Sequence, residues 1–137
     1  MTDLFAELNA VAIAAPVPKG TVIFQNRDPG TAVYLIRSGR VALVWIDAND
    51  VTPIDLHGPG RILGLPAALN GQYSATAKVL EDSELGFVPS DRVVAVLESN
   101  PSLMQAAVRL LGEEVARVRS MVSAVPESGL RAVDRAR

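Results

Sequence analysis

The chain has 137 residues, 49 % of them hydrophobic, which is enough for one packed domain. Its net charge of −2 supplies no basic field to draw it onto nucleic acid or anionic lipid. With no cysteine it can form no disulfide, iron–sulfur cluster, thiolate zinc site or cysteine nucleophile.

The N-terminal stretch MTDLFAELNAVAIAAPVPKG has no basic leader region, and Glu7, Asn9, Pro16 and Pro18 interrupt its apolar run. It reads as neither a signal peptide nor a membrane span, and the protein is expected in the cytoplasm with no membrane partner.

From Thr21 to Pro89, turn signals recur at intervals of roughly ten residues, the rhythm of an antiparallel sandwich or barrel without long helices. They are Arg27-Asp28-Pro29-Gly30, Ser38-Gly39, Asp47-Ala48-Asn49-Asp50, His57-Gly58-Pro59-Gly60, Asn70-Gly71 and Glu81-Asp82-Ser83. Val33, Leu35, Val41, Leu43 and Trp45 flank Ser38-Gly39 in partial alternation, which predicts a hairpin, with Tyr34 and Trp45 in the core or at its rim.

Residues 62–79, ILGLPAALNGQYSATAKV, join a Gly-Leu-Pro turn, a small-residue helical turn and a Ser-Ala-Thr strand start. Such a run suits a phosphate, yet it carries no charge before Lys78. His57, the one histidine, precedes Gly58-Pro59 and reads as a surface turn residue, since no second ligand lies at a useful spacing for haem or metal. A metal-dependent cupin, built on a similar double-sheet barrel, needs several histidines, so no metal site is expected. The acidic residues of LEDSE and GEEVARVR pair with no nucleophile or base, and no enzyme is expected.

After Pro89 the pattern becomes helical. Ser90 stands as N-cap to DRVVAVLES, and Asn100-Pro101 supplies a second cap with proline at the first helical position. This second helix can run from Pro101 to Val125, roughly 37 Å at 1.5 Å per residue. Met104, Val108, Leu111, Val115, Val118, Val122 and Val125 repeat at alternating steps of four and three, the heptad rhythm of a two-helix seam. Glu114 and Arg119 fall at g and the following e, where they meet across a parallel homodimer interface. The ordinary alternative is that the stripe packs on the domain's own barrel. The tail PESGLRAVDRAR has too few apolar residues to fold alone and reads as a hinge.

These strands and helices, with KGTVIFQNRDPGTAVYLIRSGRVALV at residues 19–44, resemble the cyclic nucleotide-binding domain. The closer likeness is to the effector domain of the catabolite activator and fumarate–nitrate reductase regulator (Crp/Fnr) family. Gly20, Phe24, Asp28, Tyr34, Leu35, Ile36, Gly39 and Val41 fall into that family's pattern. In its Gly-Asp-x-x-Gly-Glu run, Gly60 and Gly64 hold, while Arg61 and Leu65 replace the two acids. The resemblance spans about residues 4–125. It implies a mainly β fold with flanking helices: a jelly-roll (double-stranded β-helix) barrel over residues 1–100 with an N-terminal helix, a long dimerisation helix over 101–125, and a flexible tail or hinge over 126–137.

The same resemblance places the phosphate-binding cassette at Gly64, Leu65, Pro66, Ala67, Tyr73, Ser74, Ala75 and Thr76. In nucleotide-binding members a glutamate meets the ribose hydroxyl and an arginine forks onto the phosphate. Those places here are Leu65 and Tyr73, so two charge-assisted contacts are missing, at roughly 1.5 to 3 kcal/mol each. A micromolar site then falls by about two to four decades. The adenine-contacting places on the long helix are held by Val118 and Arg119. GLPAALNGQYSATA is similar to the wording of fumarate–nitrate-type regulators, many of which use no cyclic nucleotide; their iron–sulfur sensing is excluded by the absence of cysteine.

The implied function is a non-enzymatic sensory or effector module of a Crp/Fnr-type transcriptional regulator, a homodimer reaching DNA only through a helix-turn-helix domain that this chain lacks. No cofactor is assigned. A small anionic ligand held by Gly64, Ser74 and Thr76, with Arg61, Arg119 or Lys78 nearby, stands against the plainer reading that these residues only shape a turn. Tyr73 either caps a ligand or seals an empty pocket against the long helix, sealing being the more ordinary role. A cyclic nucleotide receptor with an atypical pocket and a ligand-free dimeric scaffold are the alternatives. For the seam, Val115→Glu is expected to abolish self-association by setting like charges against each other, and an unchanged dimer in sedimentation would remove that interface.

Overall fold

The structure is a computed structural model describing residues 3–47 and 50–124; the side chains of residues 47, 50, 70 and 114–124 lie outside the description. Helix α1 (Leu4–Val11) opens the chain, capped by Asp3, whose carboxylate accepts from the Ala6 N–H at 3.4 Å. Strands β1 (Ile13–Val17), β2 (Val22–Phe24), β3 (Ala32–Ser38), β4 (Val41–Asp47), β5 (Asp50–His57) and β6 (Ile62–Leu63) follow. Helix α2 (Leu65–Asn70), strands β7 (Thr76–Val79) and β8 (Ser83–Pro89), and helices α3 (Ser90–Glu98) and α4 (Pro101–Ala124) complete the order.

The strands form two antiparallel four-stranded sheets, β1-β8-β3-β6 and β2-β7-β4-β5. Strand β1, absent from the sequence-based expectation, lies at a sheet edge, which is where Pro16 can sit without breaking an interior ladder. The expected hairpin about Ser38-Gly39 does not form. Both edges of β3 are taken, one by β8 and the other by β6, so the chain turns the corner at Gly39 and β4 joins the opposite sheet between β7 and β5.

β3 is buried on both faces, and its alternation divides the core in two. Tyr34 and Ile36 point into the barrel with Phe24, Val41, Leu63, Ala67, Tyr73, Ala77, Val79 and Leu85. Val33 and Leu35 point outward to a helical layer in which Leu4 and Leu8 of α1, Val93 and Leu97 of α3, and Leu103 and Ala107 of α4 are buried. The first sheet is thus the middle layer, between the second sheet and the helices.

At the start of α3 the structure departs from the expected cap. Pro89 is the capping residue, and Ser90 sits inside the first turn with its hydroxyl donating to the Gly30 carbonyl at 2.6 Å. Proline provides no capping side chain, and the serine is drawn into a tertiary bond instead. Asn100 does act as expected, its Oδ1 accepting from the Ser102 N–H at 2.9 Å ahead of Pro101. The inner face of α4 carries buried Leu103 and Ala107, with Leu110 and Leu111 partly buried against the same layer. Met104 and Val108, 39 % and 60 % exposed, face away from it. The side chains of Val115, Val118, Arg119 and Val122, the whole of Val125 and the tail 126–137 lie outside the described residues. Among the described residues no helix is long and apolar enough to cross a membrane.

The loop before β3 lies directly on α2: a Cβ added at Gly30 would overlap the Ala67 carbonyl oxygen. Gly30→Ala therefore has to push α2 outward, and we expect it to cost about 1 to 3 kcal/mol, read as a lower thermal midpoint. An unaltered midpoint would mean that loop and helix separate freely.

Candidate functional site

The cassette stretch folds into β6, α2 and β7. Gly64 joins β6 to α2 with φ of 83°, a left-handed conformation that favours glycine, and a Cβ there would stand 2.9 Å from a Tyr73 ring carbon. Pro66 lies in the first turn of α2, and Gly71 ends it, its N–H donating to the Ala67 carbonyl at 2.7 Å. Helix α2 has two apolar faces. Leu65 and Ala68, three residues apart, join the helical layer, while Ala67 joins the barrel core.

Tyr73 is the centre of the site. Its ring stacks on Phe24 with centroids 3.9 Å apart and planes 10° from parallel. Its hydroxyl donates to the Ala32 carbonyl at 2.6 Å and accepts from the Ala32 N–H at 3.2 Å. The backbone is fastened as well: Arg27 N–H donates to the Tyr73 carbonyl at 2.8 Å, and Tyr73 N–H donates to the Asp28 carbonyl at 3.0 Å. These described partners lie in the barrel and its loop rather than on the long helix. An aromatic row continues from Phe24 to Tyr34 at 5.9 Å and from Tyr34 to Phe87 at 5.7 Å, edge to face.

A shallow pocket of about 50 Å³ remains, lined by Phe24, Leu43, Leu63, Gly64, Pro66, Ala67, Tyr73, Ser74 and Ala75. None of the nine is charged. Of the cassette residues singled out from the sequence, six line this pocket together. Leu65 is buried in the helical layer, and Thr76 is buried with its hydroxyl accepting from the Asn26 N–H at 3.1 Å. Phe24, Leu43 and Leu63 line it unannounced; Phe24 stood in the family pattern, but nothing in the sequence marked it as the partner of Tyr73.

Beside the pocket, the Trp45 indole N–H donates to the Ser74 carbonyl at 3.3 Å. His57 corrects the surface-turn reading. It is 5 % exposed at the end of β5, with Nε2 3.3 Å from Asp55 Oδ2. Residues 55 and 57 share a face of the strand, which brings the imidazole back over the carboxylate. Among the described residues no three histidine, aspartate or glutamate side chains gather as a metal site would require.

Comparison with known proteins decides the family. The family model of the cyclic nucleotide-binding domain matches residues 15–100. The chain belongs to that family. Within it, the likeness is to regulators of the Crp/Fnr type. The transcriptional regulatory protein btr of Bordetella pertussis is 31 % identical over 110 residues, which is 80 % of this chain and 46 % of that protein. The anaerobic regulatory protein of Pasteurella multocida is 29 % identical over 117 residues, 83 % of this chain and 42 % of its own. The chain thus spans a little under half the length of these curated relatives, which are named as regulatory proteins. Among solved structures, the catabolite activator protein of Thermus thermophilus is similar with a TM-score of 0.78 and 25 % identity, covering 90 % of this chain and 59 % of that one. The two antiparallel sheets with flanking helices are the jelly-roll architecture of this cyclic nucleotide-binding family.

Burial raises the Tyr73 phenol above its ordinary pKa of 10.0; bonds from Ala32 and Thr31 pull it part of the way back, and the charge of Asp28 adds to the rise. Tyr34 is raised too, by burial first and by Tyr73 second. A raised folded-state pKa stabilises the fold below the unfolded value, and that stabilisation is lost as pH climbs through the folded one. Stability should therefore decline above about pH 10, and less steeply in Tyr73→Phe. At pH 7, Tyr73→Phe leaves both polar groups of Ala32 without the hydroxyl and should cost about 1 to 3 kcal/mol in denaturant titration.

Proposed function

We propose that the chain is the sensory or effector module of a Crp/Fnr-type transcriptional regulator, and that it does not bind cyclic AMP in the manner of the nucleotide-binding members. The observation that carries this reading is the uncharged pocket lining, with Tyr73 where an arginine would fork onto the phosphate. A cyclic phosphate entering it would lose hydration and gain no cation in return, and burying an uncompensated charge is the costliest step in polar recognition. Leu65 offers no acceptor to a ribose hydroxyl, and its side chain belongs to the helical layer.

The module works as a homodimer through Met104, Val108, Leu111, Val115, Val118, Val122 and Val125. The exposure of Met104 and Val108 on the face of α4 turned from its own domain supports that reading. Residues 1–100 are then the barrel domain, 101–125 the dimer helix and 126–137 the hinge. Output passes through the way the two long helices meet, a two-state element of the kind allostery requires. DNA is reached through a helix-turn-helix domain beyond this chain, in the cytoplasm, and no metal or enzymatic step is involved.

Calorimetric titration of residues 1–137 with cyclic AMP and cyclic GMP tests the proposal. No binding is expected below about millimolar ligand, the level set by two lost charge-assisted contacts. A micromolar dissociation constant for either nucleotide would overturn it.

A further inference from the structure

The Tyr73 ring occupies a stacking position on Phe24, and its hydroxyl donates to the carbonyl and accepts from the N–H of a single residue, Ala32. That is how a bound molecule is held: an aromatic face against an aromatic floor and a polar end in a paired hydrogen bond. What Tyr73 grips is also connected. Ala32 is the first residue of β3, paired with Pro89 of β8, and the two residues before it are fastened to α3. Ser90 donates its N–H to the Thr31 carbonyl at 2.9 Å and its hydroxyl to the Gly30 carbonyl at 2.6 Å. Gly30 N–H in turn reaches back to the cassette, donating to the Gly71 carbonyl at 2.8 Å. Residues 30–32 are therefore a clasp with the cassette on one side and the first turn of α3 on the other. Helix α3 packs on α4 in the helical layer, through Val93 and Leu97 against the layer that holds Leu103 and Ala107.

We infer that Tyr73 is the resident occupant of the cassette, an internal side chain in the role of a ligand, and that through the Gly30–Ala32 clasp it holds α3 in one arrangement on the barrel. This rests on the reading that the pocket takes no cyclic nucleotide. The state of the helical layer is then set by a covalently attached phenol, and it changes only when Tyr73 leaves Phe24 and releases Ala32.

The test is hydrogen exchange on residues 1–137, comparing α3 amides with those of β4, which lies in the other sheet. Tyr73→Ala removes a phenol, and phenol itself is the probe that refills the space; benzene fills it without the hydroxyl, as apolar cavities accept benzene. In Tyr73→Ala we expect α3 to exchange about tenfold faster relative to β4, phenol to restore it, and benzene to raise the thermal midpoint while α3 stays fast. Tyr73→Phe, which keeps the ring, should also quicken α3 relative to β4, and it decides the matter alone if the alanine variant does not fold. Equal change in α3 and β4 in Tyr73→Phe, or restoration of α3 by benzene as complete as by phenol, would overturn the inference. Neither result bears on the reading that the pocket takes no cyclic nucleotide, which falls only to micromolar cyclic nucleotide binding by the unaltered chain.

Discussion

The site depends on one buried phenol. Tyr73 must place a ring among apolar side chains and also satisfy a hydroxyl that cannot reach water, and the open N–H and carbonyl at the start of β3 are the partners that permit both. Once that bond is made, the segment after α2 cannot slide along the barrel, Phe24 is covered, and Gly64 must be glycine because the ring lies against it. The small size of the remaining pocket follows from this packing, and so does its lack of charge: an arginine in that position would bring five donors and a cation, for which an aromatic floor and the backbone of one residue are no adequate partner.

Helix α2 joins the barrel core to the helical layer. Six residues are too few to form a helix unaided, and this one exists because both of its sides are buried, Ala67 inward and Leu65 with Ala68 outward. A six-residue element with two buried faces cannot shift toward one core without opening the other. The stretch from Gly64 to Gly71 is held in place by that packing and by hydrogen bonds within the chain, among them Gly30 N–H to the Gly71 carbonyl.

The second constraint is the topology of β3. With β8 on one edge and β6 on the other, β3 brings the two cores to opposite faces of a single strand. Residues at its start therefore touch both sides: Tyr73 and Gly71 through Ala32 and Gly30, and the first turn of α3 through Thr31 and Gly30 to Ser90.

Much was legible in the chain itself. Turn residues marked where strands end, because glycine and aspartate or asparagine clusters act locally; Asn100-Pro101 marked the start of α4; and the absence of any charged side chain from Gly64 to Thr76 was plain. These are signals carried by neighbours in sequence or by side-chain chemistry alone. Tertiary structure decided the rest. Two runs around a Ser-Gly turn pair with each other only if an edge is free, and the edges of β3 were claimed by strands roughly 25 and 50 residues away in the chain, a competition that no local pattern encodes. Ser90 left its cap position for a carbonyl 60 residues distant. His57, a turn histidine by its neighbours, was buried by the face of the strand it ends. And that Tyr73 would meet Phe24 and Ala32 followed from folding alone, since stacking and a paired hydrogen bond need positions in space, and spacing along a chain does not supply them.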